Sequence, residues 1–158
     1  MEFPETVEEL NKCSLDSPKF DIKNEAHLIK ILECYDGDTL TCYMKYNGKY
    51  QLFKIRMLLY NSPEMKPVKK DADGNVIPEE ERQQIIAKAK AAKHRLEELT
   101  LNKIGILTCH KFDAFGRILG MIQIQGMDKT VNQIMLDEGH GVFRAVDIWI
   151  IYIVQIFI

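Results

Sequence analysis

Thr39-Leu-Thr-Cys-Tyr-Met-Lys-Tyr46 alternates apolar and polar residues, Asn47-Gly48 interrupts it, and Tyr50-Gln-Leu-Phe-Lys-Ile-Arg-Met-Leu-Leu59 resumes the pattern. A period of two is that of a strand with one buried face. Asn-Gly supplies the positive φ values that a type I′ hairpin turn needs. Upstream, Leu28-Ile-Lys-Ile-Leu-Glu-Cys34 is a further strand-like run. Residues 28–59 therefore read as a three-stranded meander.

Working outward, residues 61–77 hold two prolines, the run Asp71-Ala-Asp-Gly-Asn75 and no hydrophobic period. They read as a long loop, and loops of that length in compact domains are functional or mobile. Pro78 with Glu79, Glu80 and Glu81 opens a helix, since proline fits the first helical position and acids favour the positive end of the dipole. Ile85, Ala89, Ala92, Leu96 and Leu99 then form one apolar stripe against a Lys-rich face. Two more strands are predicted around Ile104–His110 and Arg117–Gln125, joined by a turn at Asp113-Ala-Phe-Gly116. Thr130 and Gln133 form a capping box for a short helix that ends at Gly139. The order of three strands, helix, two strands, helix predicts an α+β fold, mainly β with helices. It fits a five-stranded Greek-key barrel of the OB type, whose open face commonly binds oligonucleotides.

The chain has 158 residues, 46% of them hydrophobic and 28% charged, with a formal net charge of −2. That is one ordinary globular domain without a general basic surface. The charge is uneven. Residues 1–25 carry seven acids against three bases, while residues 54–117 carry thirteen bases against nine acids. An anionic partner would bind the middle of the chain. The predicted organisation is an acidic extension at 1–25 with one short helix around Val7–Asn11, a domain at 26–145, and an apolar tail at 146–158. Cys13, Cys34, Cys42 and Cys109 form no CxxC pair, so free thiols in a reducing compartment are expected. The start lacks the basic and apolar regions of a secretory signal, which predicts an intracellular protein.

Four short stretches carry candidate chemistry. Asp36-Gly-Asp-Thr39 is a tight turn that also gathers carboxylates suited to a hard cation. Arg56 interrupts an apolar run and by parity lies opposite Phe53, Ile55 and Met57. In Asn61-Ser-Pro-Glu64, Pro63 forces Ser62 into an extended conformation and ends the strand ladder, leaving Glu64 projecting. Asp113-Ala-Phe-Gly-Arg117 is a hairpin turn ending on an arginine. Each has an ordinary explanation when taken alone.

Together, and in this order, they resemble the staphylococcal nuclease (thermonuclease) family. The resemblance covers roughly residues 28–144 and rests on Asp36-Gly37-Asp38-Thr39-Leu40, Arg56-Met57, Ser62-Pro63-Glu64, and Asp113-Ala114-Phe115-Gly116-Arg117-Ile118-Leu119-Gly120. Val131-Asn132-Gln133 and the helix through Gly139 also fit. The resemblance implies a calcium-dependent endonuclease acting on DNA and RNA and leaving 3′-phosphate ends. It implies that Asp38, Asn61 and the Ser62 carbonyl would hold Ca2+, with Asp36 in the outer shell. Glu64 would be the general base or water-positioning group, and Arg56 and Arg117 would grip the phosphate. No stable protein partner and a monomer are expected. The alternative is a catalytically weak or inactive nucleic-acid-binding module, since dead copies occur in Tudor-containing relatives. Retention of Asp38, Arg56, Glu64 and Arg117 argues against that alternative. His27, His94, His110 and His140 are dispersed, which lends no support to a histidine-based nuclease or a zinc enzyme.

The chain departs from the family pattern in four places, the mildest being about three extra residues in the hairpin between Asp38 and Arg56. Position 61 is usually aspartate, and Asn61 removes one negative charge, so weaker calcium binding is expected. Ala114 and Phe115 stand where Lys-Tyr is common, although Phe115 can still stack on a base. The tail Ile148-Trp-Ile-Ile-Tyr-Ile-Val-Gln-Ile-Phe-Ile158 is apolar except at Gln155. Its eleven residues are too few to span a bilayer. It reads as an ending altered by a frameshift or truncated frame, with an extra buried strand next in order and membrane contact disfavoured.

Overall fold

A computed structural model describes residues 7–144; the apolar tail, and with it every reading of that tail, lies outside the described residues. The elements are α1 (Val7–Leu10), β1 (Ala26–Cys34), β2 (Thr39–Tyr46), β3 (Lys49–Met57), β4 (Tyr60–Asn61), α2 (Glu79–Thr100), β5 (Ile104–Phe112), β6 (Ile118–Ile124), α3 (Val131–Asp137) and β7 (Val142–Phe143). The five long strands close a barrel, as the sequence pattern predicts, and their order around it is β1-β2-β3-β6-β5. All pairings are antiparallel except β3 with β6, which runs parallel and seals the barrel through Ile55 to Met57.

The hairpin forms as its residues dictate. Asn47 and Gly48 both take positive φ, 47° and 79°, and β2 and β3 pair in register from Tyr46 with Lys49 to Thr39 with Arg56. Leu40, Cys42 and Met44 of β2 and Ile55 and Met57 of β3 point inward. The floor of the core is α2, which buries Ala89, Ala92, Leu96 and Leu99. Pro78 stands one residue before the helix, whose first turn is Glu79, Glu80 and Glu81. Asn102, in the left-handed region at φ 61°, turns the chain back after α2 and donates its N–H to the Ile31 carbonyl.

Three local expectations need correction. The third strand stops at Met57, because Leu59 adopts a positive φ of 78° and redirects the chain. Beyond that bend lies a small second sheet, β4 paired with β7, which no periodicity could announce at two residues a strand. The capping box of α3 is half formed. Thr130 Oγ1 accepts from the Gln133 N–H at 3.2 Å, but the Gln133 side chain turns forward to Asp137. The 61–77 loop also carries one isolated bridge, Lys70 with Val76.

Candidate active site at the barrel rim

The candidate residues come from three breaks in the barrel wall, brought to one rim. The first is the turn between β1 and β2, closed by the Tyr35 N–H donating to the Thr39 carbonyl at 2.8 Å. Gly37 sits at its apex. A Cβ there would lie 2.7 Å from both the Ala92 and Ser62 Cβ atoms, so only glycine lets α2 and the 61–64 segment close over the turn. Asp36 accepts the Asp38 N–H at 3.0 Å, which fixes the second carboxylate relative to the first.

Asp38 is the hub. Its Oδ2 accepts the Ser62 N–H at 2.6 Å and lies 3.1 Å from Arg56 Nη2. Its Oδ1 accepts from the Thr39 hydroxyl at 3.2 Å. Burial pushes its carboxyl above the ordinary value, against the opposing pull of Arg56 and the Ser62 amide.

The second break follows β3. Arg56, on the strand face opposite Ile55 and Met57, is nevertheless only 8% exposed: the chain turns over it after Met57 and supplies acceptors. Its Nη1 donates to the Met57 and Tyr60 carbonyls at 3.0 and 3.1 Å. Its Nη2 donates to Asn61 Oδ1 at 2.6 Å. Tyr60, fully buried, donates its hydroxyl to the Gly37 carbonyl at 2.8 Å and so ties this break to the first. Burial, with Asp38 nearby, holds that hydroxyl well above the usual tyrosine range. Glu64 is exposed at the end of the segment.

The third break is the turn from β5 to β6. Asp113 Oδ1 accepts the N–H groups of Phe115 and Arg117 at 2.8 and 2.9 Å, and its Oδ2 accepts Arg117 Nε at 2.7 Å. Partial burial would raise the Asp113 carboxyl, but these hydrogen bonds outweigh it and hold the group below its ordinary value. Arg117 Nη1 reaches the Thr39 hydroxyl at 3.3 Å. Phe115 is 84% exposed, with the Arg117 guanidinium 5.4 Å from its ring centre.

One open cavity of about 400 Å³ is lined by Asp36, Asp38, Arg56, Asn61, Ser62, Pro63, Glu64 and Arg117. Every residue proposed from sequence except Phe115 lines it, and Phe115 contacts Arg117 from outside. Thr39, Tyr60 and Asp113, to which the motifs assign no role, orient the others. Asp113 was detectable as the first residue of its turn motif, whereas nothing in sequence marked Tyr60.

The donors facing this cavity are oxygens (carboxylates, an amide and a backbone segment), the set that a hard divalent cation takes. Among the described residues no three His, Cys, Asp or Glu side chains gather closely enough to hold a metal. Asn61 is one reason, because its amide adds an oxygen without a charge. The donor chemistry therefore fits calcium, at a low charge count.

Fold and rim together define an OB-type barrel with a polar, two-arginine pocket beside its first hairpin. The chain belongs to the family described as Staphylococcal nuclease homologue, whose model matches residues 54–148. That match takes in Arg56, Asn61, Glu64 and Arg117; Asp36 and Asp38 precede it. No curated protein matches the chain significantly. Among solved structures it is similar to the extended Tudor domain TD3 from mouse TDRD1, in complex with a MILI peptide containing dimethylarginine 45. The TM-score is 0.54 at 6% identity, covering 81% of this chain and 97% of that one. At such identity the likeness is one of fold alone. Among the described residues no helix is long and apolar enough to cross a membrane.

Proposed function

We propose that this chain is a calcium-dependent endonuclease that hydrolyses the phosphodiester bonds of DNA and RNA to 3′-phosphate products. The observation that supports this reading is the cavity onto which Arg56, Arg117 and Glu64 converge with Asp36, Asp38, Asn61 and Ser62. Attack by water at phosphorus, with departure of the 5′-oxygen, builds negative charge on the non-bridging oxygens. Two guanidiniums held in place beforehand can neutralise that charge and grip the phosphate. Arg56 is held by two carbonyls and Arg117 by Asp113, so neither must be ordered when substrate arrives. Glu64, exposed and acceptor-only when ionised, can hold the attacking water and receive its proton. Calcium, held by Asp38, Asn61 and the Ser62 carbonyl with Asp36 behind, would supply further neutralisation of the phosphate charge.

The second reading is a catalytically weak or inactive module of the same fold that binds nucleic acid. One observation favours it: Arg56 already commits Nη2 to Asp38 and Asn61. The Tudor domain of similar fold is itself bound to a methylated peptide. On that reading a protein ligand is also open to this chain. Digestion of plasmid and RNA, with calcium titrated against chelator, separates the two. Calcium-stimulated cleavage is expected, with Arg56→Ala and Glu64→Ala each slower by on the order of 10²–10³. No cleavage by the unmodified chain at any calcium level would leave only the binding module.

A further inference from the structure

Tyr60 lines no part of the candidate active-site cavity, yet it is the largest of the fully buried side chains among the described residues. A phenylalanine would fill the same space without a hydroxyl that needs a partner in the core. That partner is the Gly37 carbonyl, 2.8 Å away and 23 residues earlier, at the apex of the turn that carries Asp36 and Asp38. The rest of Tyr60 is committed as well. Its carbonyl accepts from Arg56 Nη1 at 3.1 Å, and its backbone pairs with Phe143 of β7. Its ring lies against Gly141, where a Cβ would collide with it and stand 3.1 Å from the Asn61 carbonyl oxygen. Packed between that backbone and the core, the ring delivers its hydroxyl to one place.

Two of the contacts that tie the turn to the rest of the rim pass through the Asp38 carboxylate itself. Its Oδ2 takes the Ser62 N–H at 2.6 Å and Arg56 Nη2 at 3.1 Å. A cation at that carboxylate would compete for the same oxygens. Two other ties do not use it. The Met57 N–H donates to the Asp38 carbonyl at 2.8 Å and fixes the β2 end of the turn. The Tyr60 hydroxyl fixes the apex, between the two carboxylates in sequence, and its hold does not depend on what Asp38 binds.

We infer that Tyr60 is a positioning residue: its hydroxyl holds the Asp36–Asp38 turn in register with Arg56, so that the carboxylate and guanidinium sides of the site keep one separation. The inference rests on the proposed reading of Asp36 and Asp38 as the calcium side of the site, but not on cleavage. Without the hydroxyl, Gly37, which is buried, loses the partner of its carbonyl. The turn then relaxes, and its carboxylates must be reordered when a cation binds, which costs affinity.

The test is Tyr60→Phe, which keeps the ring and removes the hydroxyl alone. It is compared with Ile124→Val, a core truncation at the end of β6 away from Arg117. Thermal melts show each variant folded at the working temperature and measure the stability it has lost. Calcium binding is read by isothermal titration with calcium chloride, and cleavage by digestion of a labelled oligonucleotide over a calcium series. Tyr60→Phe is expected to weaken calcium binding about tenfold, the factor that one buried hydrogen bond is commonly worth in an equilibrium. Ile124→Val is expected to leave it unchanged. A merely structural role for Tyr60 would shift the melt and not the affinity. In cleavage, kcat of Tyr60→Phe is expected to recover as calcium is raised, with KM for the oligonucleotide unchanged, because Arg56 and Arg117 keep their own anchors. Full calcium affinity in Tyr60→Phe, or an equal loss in Ile124→Val, overturns the inference and leaves the nuclease reading standing if the unmodified chain cleaves. Calcium binding that Tyr60→Phe weakens, with no cleavage by the unmodified chain, keeps the positioning role and removes the nuclease reading. If the unmodified chain binds no calcium, both fall.

Discussion

Asn61 shows what one atom can decide. Its amide oxygen accepts from Arg56 at 2.6 Å and lines the same cavity as Asp36, Asp38 and Glu64. Replacing the amide by a carboxylate changes little in shape and adds one negative charge. Because ligand charge sets calcium affinity in oxygen sites, Asn61→Asp is expected to tighten calcium binding by on the order of 10–100-fold. Isothermal titration with calcium chloride measures this directly. An unchanged affinity would show that charge count is not what limits the site. Gly37 decides by having no side chain at all. In Gly37→Ala the new methyl meets Ala92 and Ser62 at 2.7 Å, and neither neighbour is a flexible tip that can swing away. A loss of about 1–3 kcal/mol is expected from such overpacking, read from urea unfolding, together with slower cleavage as the Asp36–Asp38 turn is displaced.

At the scale of elements, α2 and α3 are fastened to each other on the surface. Arg95 of α2 donates through Nε and Nη2 to both carboxylate oxygens of Glu138, at 2.6 and 2.8 Å, just beyond α3. The hydrogen bond from Arg95 holds the Glu138 carboxyl below its ordinary value, with His140 nearby adding to the effect and Asp137 opposing it. A carboxyl with a lowered folded-state value binds its proton more weakly in the folded chain than in the unfolded one. The contribution is therefore present above the ordinary glutamate value and is lost as pH falls through the lowered one. The pair is solvent-exposed, so Arg95→Ala is expected to cost only about 0.5 kcal/mol near neutrality. Melts from pH 7 down to pH 3 should show the variant and the unmodified chain converging. This fastening could not be read from sequence, since 43 residues separate its partners. The elements themselves could be read, because period and turn chemistry are local: the Asn47-Gly48 hairpin, the stripe of α2 and the Thr130 cap all form where their residues imply. The small β4–β7 sheet could not, since its pairing depends on the turn that Leu59 makes at positive φ.

For the molecule as a whole, the same division between local and distant information governs what was legible. The barrel followed from the order of elements. The rim followed from motifs whose spacing is meaningful only once the barrel has closed. The wiring between them stayed hidden, and Asn132 is its clearest case. From α3, fully buried, its Oδ1 accepts the Ile122 N–H at 3.0 Å, while Nδ2 donates to the Leu58 and Gly120 carbonyls at 3.0 and 3.1 Å. One amide thus satisfies backbone groups of β6 and of the bend after β3, the two strands whose parallel pairing seals the barrel and sets Arg56 at the rim. Asn132→Ala deprives three buried backbone groups of this partner, and a loss of about 3 kcal/mol is expected once relaxation is allowed for. For a chain of this size that corresponds to a fall of roughly 10 °C in Tm, measurable by calorimetry. Asn132→Asp keeps the acceptor for Ile122 but sets a carboxylate oxygen against two carbonyls, so it should be no milder than the alanine variant. An aspartate variant close to unmodified stability would mean that the acceptor alone holds the seal, and that the two donated hydrogen bonds contribute nothing to barrel closure.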